Sequence, residues 1–206
     1  MNQKKFSDYL ELTKPRVTLM VVITMAFGFY LGTRGEMEWL LFFNAVIGTA
    51  LVAGGTSALN QYVERDIDAK MQRTKNRPLP TGRLRPEQAL AFSIAISAAG
   101  IVQLMLAVNW LTAMLAMLTL MSYVFLYTPL KQKSSLSTVV GAIPGALPPL
   151  GGWTAARGDL SLEGWVLFAI LFLWQLPHFL AIAWIYREDY RRGGFPMLTV
   201  IDPEGD

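Results

Sequence analysis

Asn60, Glu64 and Asp68 are spaced i, i+4, i+8 at the end of an uncharged run from Trp39 to Leu59. On a helix that continues through them, the three side chains line one face. Neighbours on that face stand about 5–6 Å apart at Cβ, near enough for two carboxylates to share one divalent cation. Asp66 falls elsewhere: two residues turn a helix by about 200°, which sends its carboxylate roughly opposite to Glu64. Acids at a helix C-terminus meet the partial negative charge already there. A bound cation would remove that objection; a solvated acidic turn is the plainer alternative. Just beyond come Lys70, Arg73, Lys75 and Arg77, the last three within Arg73-Thr74-Lys75-Asn76-Arg77-Pro78-Leu79-Pro80. Carboxylates followed so closely by four cations suit a polyphosphate bound through a metal, with Arg and Lys neutralising the remaining charge. Charge of the kind that membrane proteins keep on their cytoplasmic side would also account for most of these cations.

Three further places carry groups that could join such chemistry. Lys131, in Tyr127-Thr128-Pro129-Leu130-Lys131, sits at a comparable depth on another segment. It could complete an anion clamp or simply extend its ammonium to the interface. His178 is the one histidine of the chain and lies in an apolar run. Ionisable groups so placed usually face a cavity, although a neutral imidazole bonded to a neighbouring helix is the competing reading. Glu188 and Asp189 follow ten residues later, as a second acidic cluster or as interfacial charges beside Arg187, Arg191 and Arg192.

The elements that must position these groups are membrane spans. Only 16% of the 206 residues are charged, against about 25% in soluble domains. No charge occurs between Glu87 and Lys131, room for two spans of about 20 residues. The absence of cysteine excludes disulfides, thiolate metal sites and covalent haem attachment through CxxCH. A net charge of +3 that resides in loops reports orientation and gives no reason to expect a nucleic-acid partner. The first apolar run is long enough to span and is followed by no small-residue cleavage pattern, so a spanning segment is expected rather than a removable leader. Six spans are expected, near 17–31, 39–62, 88–108, 110–127, 136–155 and 162–186. The fifth holds Pro144, Pro148 and Pro149 among several glycines, and prolines there free carbonyls that neighbours or a water-filled cavity must satisfy. Sixteen of the 18 Lys and Arg fall in the N-terminal segment, the loops after the second and fourth spans, and the tail. Arg34 and Arg157 alone face the other way, which places the termini and the Asn60 loop in the cytoplasm. The expected fold is an all-α, polytopic transmembrane bundle forming one domain.

Taken together, these segments resemble the intramembrane aromatic (UbiA-type) prenyltransferases. Asn60-x3-Glu64-x3-Asp68 with the basic run after it is similar to their first aspartate-rich motif, with Glu64 where aspartate is more usual. Tyr127-Thr128-Pro129-Leu130-Lys131, Gly141-Ala142-Ile143-Pro144-Gly145-Ala146-Leu147-Pro148-Pro149 and Trp174-Gln175-Leu176-Pro177-His178-Phe179 point to the branch that farnesylates protohaem. So do Glu188-Asp189-Tyr190 and Pro196-Met197-Leu198.

The resemblance implies a multi-pass enzyme of a bacterial or mitochondrial inner membrane, with its active-site loops on the cytoplasmic or matrix side. It would transfer the farnesyl group of farnesyl diphosphate to a vinyl group of protohaem IX, with Mg²⁺ as cofactor and water completing the product. Carried over by position, Asn60, Glu64, Asp68, Glu188 and Asp189 are the expected metal ligands. Asn60, Arg65, Arg73, Lys75, Arg77, Lys131, His178 and Asp189 are the expected substrate contacts, and Glu64, Asp68, Lys131 and His178 the expected catalytic groups. His178 stands where other branches begin a second aspartate motif, a change that suits a haem substrate. The family's roughly nine spans, against six here, imply a polypeptide that continues beyond Asp206. A downstream haem A synthase or terminal oxidase would be a natural partner. A sister enzyme acting on a phenolic acid or quinone precursor, and a transporter with the proline-rich span as a broken gating helix, are the alternatives.

Overall fold

Helices satisfy their own backbone polar groups, which is what the hydrocarbon interior of a bilayer demands of a spanning chain. The computed structural model describes residues 3–202, and every long element among them is helical. A short helix α1 (Gln3–Leu12) precedes α2 (Pro15–Thr33) and α3 (Trp39–Asp68). After a folded loop come α4 (Pro86–Ala107) and α5 (Trp110–Met121). The latter runs on through a π-helical turn (Ser122–Tyr127) into α6 (Thr128–Lys131). Helices α7 (Ser137–Arg157) and α8 (Leu162–Ile185) follow, then the short α9 (Arg187–Gly193) and α10 (Leu198–Ile201). The acidic run Asp202-Pro203-Glu204-Gly205-Asp206 lies outside the described residues from Pro203 onward.

Five helices among the described residues are long and apolar enough to cross a membrane: α2, α3, α4, α5 continued through Lys131, and α8. The expected sixth, α7, has the length at 21 residues, but its glycines, prolines and hydroxyls dilute its apolar character. Neighbouring helices cover it instead, with α2, α5 and α8 packed around it. One expected span fell short at its end: helix α3 does not stop at Tyr62 but continues to Asp68. The segment before α2 is the short helix α1.

Small residues set how closely the helices approach, as in membranes generally. Gly48, Gly55 and Gly100 bring α3 and α4 together, and Gly28 and Gly152 do the same for α2 and α7. A Cβ on Gly152 would stand 1.9 Å from the Met25 carbonyl oxygen, and one on Gly28 would stand 1.9 Å from that of Pro149. Neither carbonyl can give way unless the helices part. Gly152→Ala is therefore expected to cost about 1–3 kcal/mol as overpacking, read as a lower unfolding temperature in detergent. Gly151→Ala meets nothing within 4 Å and should lower it little or not at all.

Candidate functional site

The helical continuation of α3 decides the geometry at its C-terminal end. Asn60, Glu64 and Asp68 are all buried on one face, and Asp68 is 1% exposed. Asp66 points away, its side chain 85% exposed and beside Arg65. The Thr74 hydroxyl donates to the Asp68 carbonyl at 2.8 Å, which occupies an acceptor that the helix end leaves open.

Three cations surround the acidic face, each from a different element. Arg77 donates to Asp68 Oδ2 at 2.6 Å, Lys131 to Glu64 Oε1 at 3.2 Å, and Lys14 to Asn60 Oδ1 at 3.1 Å. Arg77 is delivered by a loop that folds back on itself. Met71 on one side of it packs with Tyr190, Phe195 and Met197, and Leu79 and Leu84 on the other pack with Leu12 and Ala58. Lys131 is delivered by the π-helical turn. Pro129 has no N–H and would clash with the carbonyl one turn earlier in a regular helix; the wider turn before it makes room. Thr128 closes that turn, with its backbone N–H and its hydroxyl both donating to the Tyr123 carbonyl, the latter at 2.8 Å. The Lys131 ammonium also lies 4.4 Å from the Phe195 ring centroid.

Lys14 is a cation of this face that sequence reasoning counts only as loop charge. It sits between α1 and α2 with a left-handed backbone, φ 47°, where the following Pro15 disfavours helical geometry. That break turns its side chain inward onto Asn60. Burial pushes its ammonium down to about 7, with Arg77 and Lys131 lowering it further and Glu64 and Asp68 opposing. An anion arriving among the three cations would restore the stabilisation that burial removes.

The structure does not bring the other expected groups to this face. Arg65 lies over the Tyr62 ring at 4.9 Å and donates to the Tyr62 carbonyl, one residue round the helix from Glu64. Arg73 and Lys75 are exposed at the rim, Arg73 over the Tyr186 ring. Glu188, expected as a metal ligand, is exposed and paired with Arg191 at 2.9 Å. Asp189 lies off this face and tethers the loop: its two oxygens accept from the backbone N–H groups of Gln72 at 3.1 Å and Arg73 at 2.9 Å. Burial opposes its ionisation, but those amides, and then the charges of Arg192 and Arg73, hold its carboxyl below the usual range. It thereby fastens the basic loop to α9.

No three His, Cys, Asp or Glu side chains among the described residues converge closely enough to hold a metal by themselves. Two carboxylates and an amide oxygen do lie on one face, an all-oxygen set that fits Mg²⁺ completed by water or phosphate oxygens. Asp68 Oδ1 is buried with no hydrogen-bond partner among the described residues, so one ligand atom is free. The residues fit the ion.

An apolar cavity of about 360 Å³ lies between α2, α3, α5, α7 and α8, within the range of small-ligand sites. Its wall includes Thr56, Tyr123, Pro144, Gln175 and His178. The His178 ring is exposed and stacks on Trp174, centroids 4.7 Å apart, both residues belonging to the cavity wall.

A profile of the UbiA prenyltransferase family matches residues 21–205. The chain belongs to the UbiA prenyltransferase family. Curated relatives of that family include the protoheme IX farnesyltransferase of Solibacter usitatus (strain Ellin6076), 53% identical over 206 residues. That alignment covers 96% of this chain and 70% of the relative. The protoheme IX farnesyltransferase of Opitutus terrae is 46% identical, with 98% of this chain and 68% of the relative covered. Among solved structures, a digeranylgeranylglyceryl phosphate synthase superposes with a TM-score of 0.81 at 18% identity, over 97% of this chain and 70% of that one. A UbiA homolog from Archaeoglobus fulgidus bound to DMAPP and Mg²⁺ gives 0.77 at 18% identity, over 94% and 69%. At that identity the structures establish the UbiA fold for this all-helical membrane chain.

Proposed function

We propose that this chain transfers the farnesyl group of farnesyl diphosphate to a vinyl group of protohaem IX, giving haem O. The observation that carries the reading is the buried Asn60–Glu64–Asp68 face, ringed by Lys14, Arg77 and Lys131 and lying in the same bundle as an apolar cavity. The first half suits a diphosphate and the second a prenyl chain and a porphyrin. Relatives about half identical bear the same activity in their names.

Lys14, Arg77 and Lys131 bind the diphosphate oxygens and stabilise the negative charge that grows as the bond to farnesyl C1 breaks. Asn60, Glu64 and Asp68 would hold Mg²⁺, which when bound neutralises further diphosphate charge. The cavity shelters the allylic cation from solvent until the vinyl group attacks. His178, stacked on Trp174, approaches the porphyrin at its iron or a propionate. Helix α7 completes the bundle as a sixth span, and the Lys- and Arg-rich loops put the diphosphate site at the cytoplasmic or matrix surface. Haem O would pass from there to a haem A synthase or a terminal oxidase.

Membranes carrying the protein, given labelled farnesyl diphosphate and haem, are expected to form farnesylated haem, and excess EDTA to abolish it. No product with EDTA absent, or full activity with EDTA present, would refute the enzyme or its metal respectively. Lys14→Met should raise KM for farnesyl diphosphate about tenfold, the scale of one lost charge-assisted hydrogen bond, with KM for haem unchanged. His178→Ala should show the reverse pattern; a defect confined to the diphosphate substrate would remove it from the haem site.

A further inference from the structure

Three prolines in α7 leave three carbonyls without their usual partner. Pro144, Pro148 and Pro149 have no N–H to donate, so the carbonyls four residues earlier, on Val140, Pro144 and Gly145, lose the amide an unbroken helix would supply. Pro144, Gly145 and Pro148 are in the cavity wall. Against them, from α8, lies Gln175, also in that wall and 6% exposed. Its amide covers Gly145 so closely that a Cβ there would stand 2.0 Å from Gln175 Oε1. Its Nε2 is buried and has no hydrogen-bond partner among the described residues. Buried amide donors are almost always paired, because leaving one unpaired sacrifices its hydration for nothing. Here a free donor lies beside Gly145, on the wall it shares with Pro144 and Pro148, in a cavity that is otherwise mostly apolar. Such a cluster offers the two to four polar partners by which proteins hold a single water.

We propose that Gln175, with the freed carbonyls of α7, positions the water that completes farnesylation. The inference rests on the haem-farnesylating function proposed above. In that reaction the vinyl π pair forms the new bond to farnesyl C1 as the bond from C1 to diphosphate breaks. The cation left on the porphyrin-attached carbon then has two fates. A water lone pair can add to it, the extra proton passing to the released diphosphate, which gives the hydroxylated side chain. Alternatively the adjacent carbon can lose a proton, which gives an alkene lighter by one water. A water held by Gln175 favours the first fate and is kept in one place, so that the earlier allylic cation is not hydrolysed. Gln175 is thus a positioning residue that sets the product.

The test reads the ratio of hydroxylated to dehydrated farnesyl haem by mass spectrometry, in membranes carrying the wild-type chain, Gln175→Met or Gly145→Ala. The glycine variant keeps the glutamine but displaces its amide. Because the ratio is internal to each sample, reduced yield of a variant does not obscure it. Both variants are expected to shift the ratio toward the dehydrated product by about tenfold, the scale of one lost hydrogen bond. A merely structural role would lower yield and leave the ratio alone. Wild-type proportions in both variants overturn the inference while the enzyme assignment survives. A wild-type chain that forms no farnesylated haem at all overturns both.

Discussion

Asp68→Asn is expected to lower turnover by about 10²-fold or more, the scale of one lost electrostatic stabiliser, while Asp66→Asn changes it by no more than a few-fold. The two carboxylates are two residues apart in sequence and on opposite sides of one helix. Asp68 is buried, holds Arg77 at 2.6 Å through one oxygen and keeps the other free. The amide removes the negative charge that holds Arg77 and weakens the free ligand atom together. Asp66 is largely solvent-exposed and faces Arg65 across 3.8 Å, a surface pair worth little. Steady-state rates across a Mg²⁺ series, with extracted yield as the folding control, separate them. Equal, severe losses at both positions, each rescued by raised Mg²⁺, would mean that α3 unwinds during catalysis and that the metal site is a loop.

Lys131→Met should cost both activity and stability, and the two can be uncoupled. Glu64 is 3% exposed and its Oε1 bonds to Lys131. Removing the ammonium strands a buried carboxylate, at about 3–5 kcal/mol. Turnover should fall by about 10²-fold as a cation is lost from the leaving diphosphate. Adding Glu64→Gln removes the stranded charge, so the double variant should regain most of the unfolding temperature and none of the rate. A single variant as stable as the double one would show that Lys14 and Arg77 already compensate Glu64, and that the Lys131 pair is dispensable for folding.

Helix periodicity was enough to place Asn60, Glu64 and Asp68 on one face and Asp66 off it, because that geometry is local. Long apolar runs revealed most of the spans for the same reason. What escaped depends on contacts remote in sequence. Lys14 lies 46 residues from the Asn60 it bonds, and nothing in its neighbourhood but the following proline distinguishes it from other loop cations. Asp189 has the charge of a ligand, yet two backbone amides over a hundred residues away claim it. Glu188, its neighbour, points outward because successive helical residues diverge by about 100°. Composition alone could not tell these two carboxylates from Glu64 and Asp68. The proline-rich α7 read correctly as unusual, but the amides its prolines withhold gained meaning only beside Gln175 on the next helix.

The π-helical turn at Ser122–Tyr127 makes residue count, rather than residue character, a constraint on this stretch. A single deletion there would leave the apolar length and every chemical group outside it intact. It would, however, close the wide turn to an α-turn, in which the Pro129 ring meets the carbonyl one turn earlier, and the strain would displace Lys131 from Glu64. Chimeras that exchange this span between relatives must therefore keep the residue that the wide turn accommodates. A spliced segment of matched hydrophobicity but one residue shorter would insert into the membrane normally and yet be catalytically silent.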